Sequence, residues 1–257
     1  MRDHFDVHRW ADPAPRVALL AIPEDGPPQE GNAQFAVAAV HAWVRGWQHL
    51  MDHDAVTPIP PRWLHITLAG LGPAATAPAG LDEAIEAEMT GPRGAAGLAP
   101  HDRILLPITR TGQTGISAEI GGIGDVDLSM LGADACAIAE RAGVAAAEVS
   151  FPMSPHLGMA YGRRDQEWPW RKAWSARITP PPCYLRLRPV LVNLVQDLEH
   201  RCYTWQVRRA LPFVLRSSTT PDVAAIVEWE QATPAIGAAY EVITELEQLP
   251  PDTGGDT

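Results

Sequence analysis

Two short alternating stretches constrain this chain more than any other feature. The first is Trp63-Leu64-His65-Ile66-Thr67-Leu68, with Gly70 and Gly72 close behind. The second is Pro155-His156-Leu157-Gly158-Met159-Ala160-Tyr161. Alternation that runs into glycine predicts a strand ending in a turn. Side chains two apart share a face of a strand. Leu64, Ile66 and Leu68 therefore form one row, and Trp63, His65 and Thr67 the other. In the second stretch the same count sets Leu157, Met159 and Tyr161 against His156, Gly158 and Ala160. An apolar row anchors each strand and leaves its histidine on the opposite face. One such histidine is more often structural than catalytic; two in matched strands reverse that expectation.

The segments between the motifs give them a shared setting. Residues 1–15 are polar and punctuated by proline, an N-terminal arm. Arg16–Pro23 reads as a buried strand closed by Glu24-Asp25-Gly26-Pro27-Pro28. From Asn32, a plausible N-cap, Phe35, Val37, Val40, Trp43, Val44, Trp47 and Leu50 recur at helical spacing to Leu50. Leu81–Met89 is a short helix and Gly91–Pro100 a loop. Arg103–Thr109 and Gly115–Ile120 are expected to pair across Arg110–Thr114. Gly121–Asp125 is a structural turn opening a helix to about Ala142, since it lacks the spacing of a dinucleotide or P-loop site. Tyr184–Val195 and Cys202–Val207 read as a hairpin turning at Gln196–Arg201. The order strand, helix, histidine strand thus occurs twice and predicts two similar lobes. The part from Pro221 has helical spacing around Ile226, Trp229 and Tyr240, expected to dock or to mediate self-association, and Pro250–Thr257 looks disordered.

Composition narrows the class. The chain has 257 residues, 46% hydrophobic and 20% charged, ordinary for a globular protein. Its apolar runs are too short to span a bilayer, and its N-terminus is not laid out as a signal peptide. Cys136, Cys183 and Cys202 suggest neither a disulfide framework nor a zinc motif. A cytoplasmic location and no membrane partner are expected. A net charge of −11 argues against coating long nucleic acid. Locally the balance reverses: Arg163–Arg216 holds eleven basic residues against four acidic ones, while Ser217–Thr257 holds eight acids and no Lys or Arg. The basic segment either favours a small anionic ligand or pairs its arginines with carboxylates elsewhere. Exposed tryptophans at Trp168, Trp170 and Trp174 either stack on a base or pack on the sheet.

Two imidazoles facing one cleft suit concerted acid–base chemistry, because histidine titrates nearest neutrality. One ring takes a proton from a nucleophile while the other gives one to a leaving oxygen. Phosphodiester cleavage without a metal needs both roles and donors for the non-bridging oxygens. Thr67, two residues from His65 on the same face, supplies such a hydroxyl. No cofactor and no metal are expected. A metal-dependent hydrolase using His49, Asp52 and His53 is a weaker reading, since no second ligand pair matches it.

On His65-Ile66-Thr67-Leu68, His156-Leu157-Gly158-Met159, their separation and the flanking order, the sequence resembles the 2H phosphoesterase superfamily of bacterial 2′-5′ RNA ligases and 2′,3′-cyclic phosphodiesterases. The resemblance covers about residues 16–215, leaving the arm (1–15) and an acidic, partly helical C-terminal extension (216–257) outside it. It implies an α+β, bilobal fold, with two pseudo-symmetric lobes of antiparallel sheet and outer helices around a central groove. It also implies metal-independent cleavage or joining at 2′ and 3′ ribose oxygens of RNA ends or small nucleotides. His65 and His156 become the acid–base pair and Thr67 a phosphate ligand. Gly158 stands where the family has Thr or Ser, which removes one hydroxyl. That departure also admits a nucleotide- or RNA-binding module with weakened catalysis. Gly158, Tyr161, Arg163 and Tyr203 are the candidate substrate contacts, an aromatic for a base and an arginine for a phosphate.

Overall fold

The two histidine motifs form neighbouring strands in the middle of one antiparallel sheet. The computed structural model describes residues 1–25, 35–91, 105–106, 109–121, 123–165, 180–216 and 222–234. The strands are β1 (Arg16–Pro23), β2 (Val56–Pro58), β3 (Ile66–Pro73), β4 (Leu105–Leu106), β5 (Thr109–Thr111), β6 (Gly115–Glu119), β7 (Val149–Ser150), β8 (His156–Gly162), β9 (Cys183–Tyr184), β10 (Arg186–Asp197), β11 (Cys202–Ala210) and β12 (Leu215–Arg216). The helices are α1 (His4–Val7), α2 (Phe35–Gln48), α3 (Leu81–Thr90) and α4 (Ile123–Arg141), and residues 223–234 are also helical. The main sheet runs β11-β10-β1-β3-β8-β6-β5 and curls into a half-barrel; β4 and β9 pair separately. The architecture is α+β, with every described strand pair antiparallel.

The expected repeat is present in space. β1, α2, β2 and β3 in one half correspond to β6, α4, β7 and β8 in the other. β2 pairs with β8 and β7 with β3, so each short strand crosses to the opposite half's histidine strand. The two histidine strands themselves meet at Ile66 and Leu157. Each then carries a register shift three residues past its histidine. Leu19 and Leu20 face Ala69 and Thr67, which leaves Leu68 extra, while Ile116 and Ser117 face Ala160 and Gly158, which leaves Met159 extra. One inserted residue exchanges the faces of everything beyond it.

That insertion corrects the face count made from the sequence. Ala160 is buried in the core, and Tyr161 shares the open face with His156 and Gly158. A second correction concerns where the first strand starts. Pro61–Trp63 is a 3₁₀ turn and the strand begins at Ile66, because prolines at 60 and 61 lead the chain in without backbone donors. Of Arg103–Thr109, the described Leu105–Leu106 pairs with β9, and Thr109, as part of Thr109–Thr111, pairs with β6; residues 103–104 and 107–108 lie outside the described residues.

Strand β1 is buried on both faces. Val17, Leu19 and Ala21 join the helix-side core, while Ala18 and Leu20 pack with Val190, Val192 and Leu194 on the other side. In the helix layer Trp43, Trp47 and Trp229 form a mutual ring cluster. Gly46 leaves the space that the Trp229 ring fills, so segment 223–234 docks on α2, fixed further by Arg45 and Glu230 at 2.5 Å. Asn32, the tryptophans at 168–174, the 92–100 part of the predicted loop and the tail beyond 234 lie outside the described residues.

Candidate functional site

A cavity of about 790 Å³ opens on the face that carries both histidines. His65, Thr67, His156, Gly158, Tyr161 and Tyr203 all line it, six of the seven residues singled out from the sequence. Arg163 does not: its guanidinium donates to the His53 carbonyl at 3.3 Å, away from the cavity.

Antiparallel register explains how the residues converge. Around the Ile66–Leu157 pair, Thr67 and His156 stand on one side, His65 and Gly158 on the other, and all four share a face. The two histidines are diagonal neighbours, a relation that separates strand positions by on the order of 7–8 Å. Each ring is held alike. His65 Nδ1 lies 2.8 Å from the Trp63 carbonyl, and His156 Nδ1 lies 3.1 Å from the Ser154 carbonyl. A carbonyl only accepts, so each Nδ1 carries a proton that it donates two residues back. That fixes the tautomer and leaves Nε2 as the basic atom of each neutral ring.

Their environments differ. His65 is 8% exposed, with the Trp205 ring edge-on at 5.0 Å, whereas His156 is exposed. Burial pulls the His65 pKa down to about 4; the Trp63 carbonyl opposes the fall and nearby His156 adds to it. His65 is therefore neutral at pH 7. Across β6 and β8, Glu119 pairs with His156. Tyr161 and Tyr203 are pushed up by burial and stay protonated donors.

The cavity has a wall that the sequence reading missed. His4, His8, Arg9 and Trp10 line it, from the stretch set aside as an arm. Phe5 is 3% exposed, packed against Tyr161 and Tyr203. The available signal was His4 and His8 one helical turn apart, followed by Arg9-Trp10. Four arginines of the basic segment follow the second of its two readings: Arg188 pairs with Glu24, Arg201 with Asp3, Arg208 with Asp82, and Arg209 with Glu83 and Glu86. His53 contacts the Gln48 carbonyl, and no three His, Cys, Asp or Glu among the described residues are grouped to hold a metal ion. No described helix is long and apolar enough to cross a membrane.

The arrangement defines a two-histidine groove on an antiparallel sheet. No family model and no curated protein matches the sequence. Among solved structures, TT0787 of Thermus thermophilus matches 79% of this chain and 100% of its own, at 17% identity and TM-score 0.43. E. coli LigT complexed with ATP matches 78% and 98%, at 17% identity and TM-score 0.38. A protein described as a phosphoesterase matches 78% and 98%, at 16% identity and TM-score 0.43. At such identities and TM-scores these neighbours assign this chain no activity.

Proposed function

We propose that this protein cleaves phosphodiesters by paired-histidine acid–base catalysis without a metal, acting on 2′,3′-cyclic phosphates or 2′-5′ linkages of RNA ends or small nucleotides. The observation that carries this reading is the pair of imidazoles on one face, each with Nδ1 tied to the carbonyl two residues before it. For a cyclic phosphate, His65 Nε2 takes a proton from water as its oxygen bonds to phosphorus. The bond from phosphorus to one ribose oxygen breaks, and His156 gives that oxygen its proton. His65 suits the base role because it is neutral, and a bound phosphate's negative charge raises its basicity. His156 is assigned the acid role as the exposed member of the pair, with Glu119 opposite it in the strand register. The Thr67 hydroxyl donates to a non-bridging oxygen.

The test is hydrolysis of 2′,3′-cyclic nucleotides and 2′-5′ dinucleotides with EDTA present. Turnover by the wild type that is abolished in His65→Ala and in His156→Ala supports the reading. No turnover above the double variant on either substrate ends it. A second reading, a nucleotide- or RNA-binding module of the same fold, is favoured by Gly158, which faces the cavity and brings no hydroxyl to match that of Thr67. Nucleotide binding without turnover, unrecovered in Gly158→Thr, selects it.

A further inference from the structure

The N-terminal wall of the cavity has a charge and a framework that the two histidines do not require. We propose that His8, Arg9 and Arg16 form a second anion subsite, so that the preferred ligand carries another phosphate besides the one at His65 and His156. This rests on reading the cavity as a phosphodiester groove.

The wall is built into the domain. Gln196, 9% exposed, accepts from the Trp10 N–H at 3.1 Å and donates to the His8 carbonyl at 2.9 Å and the Tyr203 hydroxyl at 3.1 Å. One buried amide thus pins residues 8 and 10 on either side of Arg9. Asp3 caps α1 and receives the Arg201 guanidinium at 2.6 Å, while the same guanidinium lies over the Phe5 ring. Gly162 leaves room for the Arg2 carbonyl where any side chain would collide.

Among the described residues, the charge of this wall is not met by an ion pair. Arg45, Arg141, Arg188, Arg201, Arg208 and Arg209 are each neutralised by a carboxylate. Arg9 and Arg16 line the cavity, and among the described residues neither forms an ion pair. The Arg16 guanidinium rests 5.7 Å from the Trp10 ring centre, an arrangement that leaves its edge donors for a ligand. His8 reaches Thr114 at 3.1 Å beside them. Glu148 is the one carboxylate among the described lining residues, so two guanidiniums outweigh it in a chain whose net charge is −11. A net cationic pocket in an acidic protein selects a compact polyanion, and guanidinium matches phosphate oxygens in geometry. Trp10 and Tyr203, 5.9 Å apart, both line the cavity and supply flat apolar area for a base. The ligand class is a nucleotide with a second phosphate, either a terminal one or the next one of a short oligonucleotide.

Binding, not turnover, tests this. Calorimetric titration of the full chain compares adenosine 2′-monophosphate, adenosine 2′,5′-bisphosphate and a 2′-5′ dinucleotide bearing a 2′-phosphate, at fixed salt. The bisphosphate or the dinucleotide is expected to bind at least about tenfold tighter than the monophosphate, the scale of one charged hydrogen bond; which of them gains identifies the source of the second phosphate. Arg9→Ala should erase most of that gain and shift monophosphate binding less than about twofold, Arg9→Lys should retain part of it, and Arg16→Ala should reduce it. Equal affinity for all three ligands, or an Arg9→Ala loss equal on all three, overturns the subsite while leaving the histidine chemistry intact. Failure of all three to bind overturns both. A preserved gain with no hydrolysis of either cyclic phosphates or 2′-5′ dinucleotides keeps the subsite and removes the phosphodiesterase reading.

Discussion

Ile66 and Leu157 face each other where β3 and β8 meet, and neither is accessible to solvent. This buried pair sets the register of the site. Each residue lies next to a histidine in the chain, so locking the apolar pair together holds two imidazoles on the opposite face. Slippage by one residue turns one histidine into the core, which burial of both apolar rows forbids.

The low His65 pKa has a stability consequence. The folded value, about 4, lies below the ordinary 6.5, so between those values the unfolded chain binds more protons. The contribution is full above pH 6.5 and is lost as pH falls towards 4, amounting to about 3 kcal/mol at most. Chemical denaturation of wild type and His65→Gln at several pH values should show a shallower acid loss in the variant. Parallel curves between pH 6.5 and 4 contradict the assignment.

Trp205 stands edge-on to both His65 and Trp63, at 5.0 and 4.8 Å. Trp205→Ala opens His65 to water and removes part of its desolvation. An NMR titration of the His65 ring should move upward from about 4 towards 6.5. No movement means that the burial arises elsewhere.

Thr67 and Gly158 occupy equivalent positions in the two halves, and they differ by a hydroxyl. Under the proposed chemistry Thr67→Val loses a hydrogen bond to a charged oxygen, about 1.5–3 kcal/mol, or roughly ten- to a hundredfold in kcat/KM. In Gly158→Thr the added Cβ lies 3.1 Å from the end of the buried Ile59 side chain, which must shift by a few tenths of an ångström to admit it. The variant should fold and raise rate or phosphate affinity. A Thr67→Val enzyme as active as wild type argues that the hydroxyl does not touch the phosphate.

Gly132 on α4 lies against the Leu68 carbonyl, at the inserted residue of β3, with no room for a Cβ. Gly132→Ala forces the helix off the strand three residues from His65. A loss of about 1–3 kcal/mol in stability is expected, and activity should fall with it. A variant unchanged in thermal melting shows that the helix is free to shift.

Much of the site was legible because alternation and helical spacing are local. The core rows Leu64, Ile66 and Leu68, the extents of α3 and α4, and the β10–β11 hairpin follow from neighbours along the chain. The doubled order of strand, helix and histidine strand pointed to a pseudo-symmetric fold. What stayed hidden depends on contacts between distant residues. Tyr161 changes face because Met159 is inserted against β6, and nothing within the second motif signals that insertion. Arg163 follows the motif in the chain yet turns to the His53 carbonyl.

The sequence alone singled out the residues proposed to carry the chemistry: two histidines at the starts of matched apolar strands, and one hydroxyl beside the first. Strand periodicity enforces that pattern whatever surrounds it. Tertiary structure decided their surroundings. It buried His65 beside Trp205, tied Arg188, Arg201, Arg208 and Arg209 of the basic segment to carboxylates, and brought His8, Arg9 and Trp10 to the cavity wall. Burial, charge pairing and long-range hydrogen bonds such as those of Gln196 depend on residues up to nearly two hundred positions apart, and only the folded chain brings them together.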